Sequence, residues 1–190
     1  MLQQLTLEEM QRLYETRMQE DFPQDELKPF SRIAELFRQG RYLGYGMAGS
    51  KGHTDGYALF VRMEMDGGEN YLFDYLAIDK NQRGTGIGTR FLGELAEAFR
   101  GAHLIVGECE DPDKAEDEGE RRKRERRIRF YGRNGIHPTG VTSKVCGVDY
   151  RVMEVVSGSR HSDREVRRVL DAFYRQIFPD SIYREIAWGS

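Results

Sequence analysis

The sequence predicts a single α/β domain of the mixed α+β kind, in which a mostly antiparallel central sheet is flanked by helices. Two observations favour this class. Three strand-like segments follow one another with short turns between them, which is typical of an antiparallel meander, and amphipathic helical patterns lie before and after them. The chain has 190 residues, of which 38% are hydrophobic, so its core needs no disulfide or metal to hold it.

The first forty residues carry two helical patterns. Apolar residues at helical spacing run through residues 10–18, and Thr6 and Glu9 are placed as a capping box before them. Pro23 ends this helix. A second apolar stripe covers residues 30–37. The chain is therefore predicted to begin with helices, without a strand ahead of them.

Strand patterns replace the helical ones after residue 40. Residues 41–48, 56–65 and 71–78 are rich in aromatic and aliphatic side chains and are separated by turn residues. The turn Asp66-Gly67-Gly68 is a hairpin signal. These three segments are predicted to pair as consecutive antiparallel strands.

The second half of the chain alternates helices and strands. It contains, in order, a helix after Gly88, a strand at 103–108, a charged helix at 121–133, a hairpin at 141–147 and 149–156, and an amphipathic helix at 166–177. We expect a main domain over 1–156 and a C-terminal helical extension over 157–190. The apolar face of that last helix packs either on the domain or on a partner subunit, and the second case gives a homodimer.

Charge and composition exclude several functional classes. The 29 Lys and Arg residues against 32 Asp and Glu residues give a net charge of −3, which argues against a nucleic-acid or membrane-surface partner. No apolar run is long enough for a membrane span and no secretory pattern is visible, so a cytoplasmic location is expected. The two cysteines and four histidines are scattered, and no metal site is predicted.

A glycine-rich turn carries the chemical signal. Residues Gly84, Gly86 and Gly88 alternate between a strand and a helix, where free backbone N–H groups can hold a phosphate or pyrophosphate. A Walker loop is excluded because the lysine it requires is missing. A dinucleotide fingerprint is one residue short and lies among antiparallel strands, although Glu108 stands where a ribose-binding acid belongs.

The turn and its surroundings resemble the GNAT superfamily of N-acetyltransferases, here a member of bacterial type. The segment 83–88 matches the signature Gln/Arg-x-x-Gly-x-Gly/Ala, with Gln82 in front. Tyr131, shortly before Asn134-Gly135, is placed like the tyrosine of the family's second motif. Arg124 and Arg127 depart from that motif's usual residues.

The resemblance implies a splayed strand pair that receives the pantetheine arm of acetyl-CoA. The backbone of Ala77 and Ile78 would pair with pantetheine, and Tyr131 would protonate the leaving thiolate. The remaining cofactor-binding residues would wrap the pyrophosphate; they are Gln82, Arg83, Gly84, Thr85, Gly86, Ile87, Gly88 and Thr89.

The base that accepts the amine proton has more than one candidate. Glu108 ends a strand and is the first; Glu110 points to the same face and is the second. Asp74 is another possibility, with a structural role favoured. Alternatively, these acids only attract a cationic acceptor, since the segment 108–118 is strongly acidic.

The predicted function is direct transfer of the acetyl group of acetyl-CoA to an amine of a small molecule or protein. Cys109 lies between two glutamates, which would raise its pKa, so a covalent acetyl-enzyme is not expected. The alternative from another class is a catalytically silent acyl-CoA-binding sensor or scaffold.

Overall fold

The computed structural model describes residues 1–24, 26–49, 53–155 and 160–189. The chain forms two compact units. Unit 1 comprises Met1–Met63 and Phe73–Phe99, and unit 2 comprises Glu64–Leu72 and Arg100–Ser190. Over the described ranges, the helices are all too short or too polar to cross a membrane.

Unit 1 contains four of the α-helices. They are α1 (Leu7–Leu13), α2 (Gln19–Asp21), α3 (Phe30–Arg38) and α4 (Ile87–Ala98). The predicted capping box is confirmed, because Thr6 accepts from the Glu9 N–H while the Glu9 side chain accepts from the Thr6 N–H. A π-helical turn at Tyr14–Met18 joins α1 to α2.

The strands before the glycine-rich turn follow the order β1-β2-β3-β4. They are β1 (Leu2–Gln4), β2 (Tyr42–Ala48), β3 (Thr54–Met65) and β4 (Gly68–Ile78). The predicted hairpin turn is confirmed, since Asp66 and Gly67 have φ of 59° and 76°, as a tight two-residue turn requires. Residues 64–72, which include this turn, belong to unit 2.

The prediction that no strand precedes the helices is wrong. β1 pairs antiparallel with β2, with Leu2 opposite Met47. Three residues are too few to show an alternating pattern, and the pairing depends on β2, which lies some forty residues away in sequence. The Leu5 N–H, which donates to Gly44 O at 2.8 Å, extends this contact.

Unit 2 is built on strands in the order β4-β5-β7-β6-β8. Its other elements are β5 (Leu104–Glu110), α5 (Glu118–Gly132), β6 (Ile136–Val145), β7 (Val148–Val155), α6 (Asp163–Ile177), α7 (Asp180–Tyr183) and β8 (Ala187–Gly189). The pairs β5–β7, β6–β7 and β6–β8 are antiparallel. The predicted mixed α/β class with a mostly antiparallel sheet and flanking helices is confirmed.

Helix α6 buries the apolar face that the sequence showed. The buried side chains are Val166, Val169, Leu170, Phe173, Tyr174 and Ile177. The helix packs against β5 and β6 of its own unit, so this apolar face is buried without a partner subunit. The boundary expected at 156/157 lies outside the described residues.

Candidate functional site

The carboxylate of Asp79 organises the entry to the glycine-rich turn. Its Oδ1 accepts from the Asn81 N–H at 2.8 Å, and its Oδ2 lies 2.9 Å from His53 Nε2. These two contacts, the Asn81 bond first, lower the pKa of Asp79. The Asp79 N–H donates to Asp55 O at 2.8 Å, which fixes the end of β4.

The turn itself has a backbone that requires glycine. Gly84 and Gly86 have φ of 82° and 87°, in the left-handed region. A Cβ added at either position would meet no atom within 4 Å, so the space around the turn is open rather than filled by the described side chains. Gly86 is the N-cap residue of α4.

The N-terminus of α4 lacks the side-chain cap that covers the starts of α1, α5 and α6. Thr6, Asp117 and Ser162 cover the starts of α1, α5 and α6 with side-chain hydrogen bonds, and each of those helices has acids in its first turn. Helix α4 starts at a glycine and has no acid there. Its first N–H groups and its dipole are therefore available to an anion.

Arg83 stands beside this turn. Its Nε donates to Ile78 O at 3.2 Å, and its Nη2 lies 4.0 Å from Asp21 Oδ1. The side chain is 63% exposed, so the guanidinium can turn toward a ligand phosphate at little cost. Thr85 Oγ1 donates to Gln82 O at 2.7 Å and closes the turn.

Tyr131 lies in the last turn of α5, in unit 2. Its hydroxyl makes no hydrogen bond to any residue that the structure describes. Burial of the phenol, aided by Cys109 and opposed by Arg127, raises the pKa of Tyr131 well above its ordinary value. The phenol therefore stays protonated at neutral pH and has a proton to give.

Cys109 is buried in β5. Burial raises the pKa of its thiol to about 12; Arg127 opposes that rise, and Glu110 and then Glu108 add to it. Loss of solvent is thus a larger cause of the raised pKa than the two glutamates from which the sequence predicts it. A thiol of this kind is a poor nucleophile near neutral pH.

Glu108 is held by two hydroxyl groups. Its Oε1 accepts from Ser143 Oγ of β6 at 2.7 Å and from the Tyr174 hydroxyl of α6. The two hydroxyls lie 3.2 Å apart. Burial and the Glu108 charge raise the pKa of Tyr174, which keeps it a donor. The sequence pattern places Tyr174 on the apolar face of a helix, but it does not show that the hydroxyl contacts Glu108.

The two other candidate bases are occupied by cations. Glu110 lies 2.9 Å from Arg127 Nη1 and 3.1 Å from Arg124 Nη2. The arginines that depart from the family motif therefore neutralise an acid of the adjacent strand. Asp74, in unit 1, accepts from Lys28 Nζ and from the Tyr42 hydroxyl, each at 2.6 Å.

Arginines of β7 and α5 pair with further acids of the segment 108–118. Asp111 lies 2.8 Å from Arg151 Nε, and Glu118 lies 3.1 Å from Arg122 Nε. No residue of helix α5 is fully buried, and the helix carries acids in its first turn and a base in its last, which confirms the predicted solvated helix.

The model of the acetyltransferase (GNAT) family matches residues 1–135. This chain belongs to the GNAT family. It is thus an acetyl-CoA-dependent N-acetyltransferase, as the glycine-rich turn predicted. A search of curated proteins by sequence gave no match.

Solved structures share the fold of this GNAT protein. A Bacteroides thetaiotaomicron protein described as a GNAT-family acetyltransferase is 21% identical, with a TM-score of 0.68 over 92% of this chain and 96% of its own. The Escherichia coli ribosomal-protein-S18-alanine N-acetyltransferase is 14% identical, with a TM-score of 0.59 over 86% and 97%. The Vibrio cholerae spermidine/spermine N-acetyltransferase SpeG, in mutant forms, is 13% identical, with a TM-score of 0.57 over 83% and 94%.

Proposed function

We propose that this GNAT protein transfers the acetyl group of acetyl-CoA directly to an amine, with Tyr131 as the general acid and Glu108 as the general base. The amine nitrogen attacks the thioester carbonyl carbon, and the carbon–sulfur bond breaks. The leaving thiolate takes the phenolic proton of Tyr131, and Glu108 takes the proton that the amine loses. Exchange with water restores both groups.

The free hydroxyl of Tyr131 carries this proposal. A phenol that is protonated, half-buried and without a hydrogen-bond partner among the described residues is suited to protonate a leaving group. A purely structural tyrosine usually uses its hydroxyl, as Tyr174 does.

The turn residues Arg83 to Thr89, with Gln82, are proposed to hold the pyrophosphate of the co-substrate. The left-handed glycines and the uncovered start of α4 support this role. The backbone of Ala77 and Ile78 is proposed to pair with the pantetheine arm. The carbonyl of Ile78 accepts a hydrogen bond from Arg83, which links the strand end proposed to bind pantetheine to the turn proposed to bind the pyrophosphate.

Glu108 is proposed as the base because its competitors are paired with cations. Ser143 and Tyr174 hold its Oε1, which fixes the carboxylate that is proposed to accept the amine proton directly or through water. Glu110 and Asp74 would first have to leave their ion pairs.

A cationic acceptor was expected from the acidity of residues 108–118. Ion pairs use the acids on which a cationic acceptor was expected, such as Glu110, Asp111 and Glu118. The cationic acceptor therefore stays a prediction, which best turnover with cationic amines would support.

A homodimer also stays a prediction, and light scattering of the purified protein would test it.

Release of free thiol from acetyl-CoA, measured with cationic, neutral and anionic primary amines of similar size, tests the function. We expect amine-dependent thiol release with at least one class. If acetyl-CoA binds but no amine raises thiol release above the rate of hydrolysis, the silent sensor or scaffold is the correct function.

A further inference from the structure

We propose that His103, His161 and Glu165 form a binding site for a divalent transition-metal ion of the Zn²⁺ type. One ligand atom of each residue lies within 4.8 Å of the other two. His103 Nε2 is 3.1 Å from Glu165 Oε1, and the two imidazole rings meet edge to face with centroids 5.1 Å apart. Two of the four histidines, which looked scattered in the sequence, are thereby brought together.

Backbone hydrogen bonds position two of these side chains. The His103 N–H donates to Glu69 O at 2.8 Å, directly before β5 begins. Glu165 lies in the first turn of α6, where its N–H donates to the Ser162 hydroxyl. All of these residues belong to unit 2, so the site is complete within one compact part of the chain.

A buried carboxylate stands behind one of the histidines. Glu154 Oε1 lies 2.6 Å from His161 Nδ1 and accepts from the His161 N–H at 3.0 Å. With Nδ1–H donated to Glu154, Nε2 keeps its lone pair, which is the form of histidine that binds a metal. A carboxylate that orients a ligating histidine in this way recurs in metal sites.

Glu154 is only 1% exposed, and its Oε2 has no hydrogen-bond partner among the described residues. The nearest cation to this oxygen is Arg160, whose Nε lies 3.6 Å away. A buried carboxylate of this kind is costly unless it serves a charged neighbour. A cation bound at His161 would add its positive charge to that of Arg160 beside this carboxylate.

The donor set selects the class of ion. Two imidazole nitrogens and one carboxylate, without a thiolate, suit Zn²⁺ and related ions better than Ca²⁺ or Mg²⁺. Tetrahedral ligands at about 2.1 Å from zinc lie about 3.4 Å from each other, so a pair of ligand atoms 4.8 Å apart must close by about 1.4 Å through side-chain rotation. The three side chains are 33%, 21% and 29% exposed, which leaves an entry path and room for a fourth ligand.

Titration of the metal-free protein with Zn²⁺, followed by calorimetry, and with Co²⁺, followed by its visible absorption, tests the site. We expect one ion per chain and a Co²⁺ spectrum of nitrogen coordination. His161→Ala and Glu165→Gln should each weaken binding about 100-fold or more. Glu154→Gln should weaken it about 10–100-fold, as removal of an orienting partner does.

His53→Ala is the matched control, because His53 also pairs with one carboxylate, at 2.9 Å from Asp79, but outside the cluster. It should bind Zn²⁺ like the original protein. Glu165→Gln keeps the size of the side chain, and circular dichroism of each metal-free variant will show whether it has folded. Absence of 1:1 binding in the original protein, or equal affinity in the folded Glu165→Gln and His53→Ala variants, would overturn the proposal.

Discussion

Tyr131 and Tyr174 both lie in unit 2. Burial shifts the pKa of both phenols in the same direction, but their hydroxyl groups differ in their hydrogen bonds. Burial raises the pKa of both. The Tyr174 hydroxyl donates to Glu108 and lies 3.2 Å from Ser143 Oγ, whereas the Tyr131 hydroxyl has no such partner among the described residues. Tyr174 therefore holds a carboxylate, whereas the protonated Tyr131 hydroxyl suits the proton-donor role proposed for it.

The largest expected effect is that of Tyr131→Phe. Removing the proton donor should lower kcat by about 100-fold or more, within the range typical of a general acid. The unfolding midpoint should hardly change, because no hydrogen bond to a described residue is lost. Steady-state kinetics and thermal unfolding of the same preparation check both statements. Unchanged turnover would remove Tyr131 from its proposed role.

Gly86→Val separates cofactor binding from the chemistry of the tyrosines. A β-branched residue cannot easily adopt φ of 87°, so the start of α4 should shift and the affinity for acetyl-CoA should fall about 10–100-fold. Isothermal titration measures this. Gly93→Ala, inside the same helix with nothing within 4 Å of its added Cβ, is the control and should bind acetyl-CoA normally. Intact affinity in Gly86→Val would contradict the pyrophosphate assignment.

Tyr174→Phe should show the opposite balance to Tyr131→Phe. It removes a hydrogen bond to a charged carboxylate, so we expect a loss of about 1.5–3 kcal/mol in the free energy of unfolding. The kcat should fall about 10-fold at most, since Ser143 still holds Glu108. Urea unfolding and kinetics check this.

A double-mutant cycle of Tyr174→Phe with Glu108→Gln isolates the contact between the two side chains. Additive losses in unfolding free energy would show that Tyr174 does not hold Glu108.

The smallest effect concerns alkaline pH, where the two tyrosines should behave alike. A tyrosine whose folded pKa exceeds its unfolded value of about 10 stabilises the fold fully below pH 10, and this contribution declines above it. Each such group lowers the unfolding free energy by about 1.4 kcal/mol per pH unit there. Tyr131→Phe and Tyr174→Phe should each reduce the slope measured by urea unfolding above pH 10. An unchanged slope in either variant would contradict the raised pKa.

Local patterns in the sequence predicted much of this molecule. The capping box of Thr6 and Glu9, the Asp66-Gly67 turn and the amphipathic face of α6 each depend on a few neighbouring residues. The glycine-rich turn was predictable for the same reason, because Gly84 and Gly86 adopt left-handed φ values that favour glycine.

Features that depend on distant residues were not predictable. β1 is visible only through its pairing with β2, and the periodicity of α6 shows that Tyr174 is buried but not that its hydroxyl meets Glu108. The acidity of residues 108–118 was visible, whereas its neutralisation by Arg151 and by arginines of α5 required the fold.

Burial of Cys109 leaves the protein with one thiol that reagents can address. With a pKa of about 12, only about one Cys109 in 10⁵ is a thiolate at pH 7, whereas Cys146 is exposed in the turn between β6 and β7. An alkylating fluorophore should therefore attach to Cys146 alone. The native sequence thus offers a single labelling position without engineering, suited to fluorescence measurements of ligand binding.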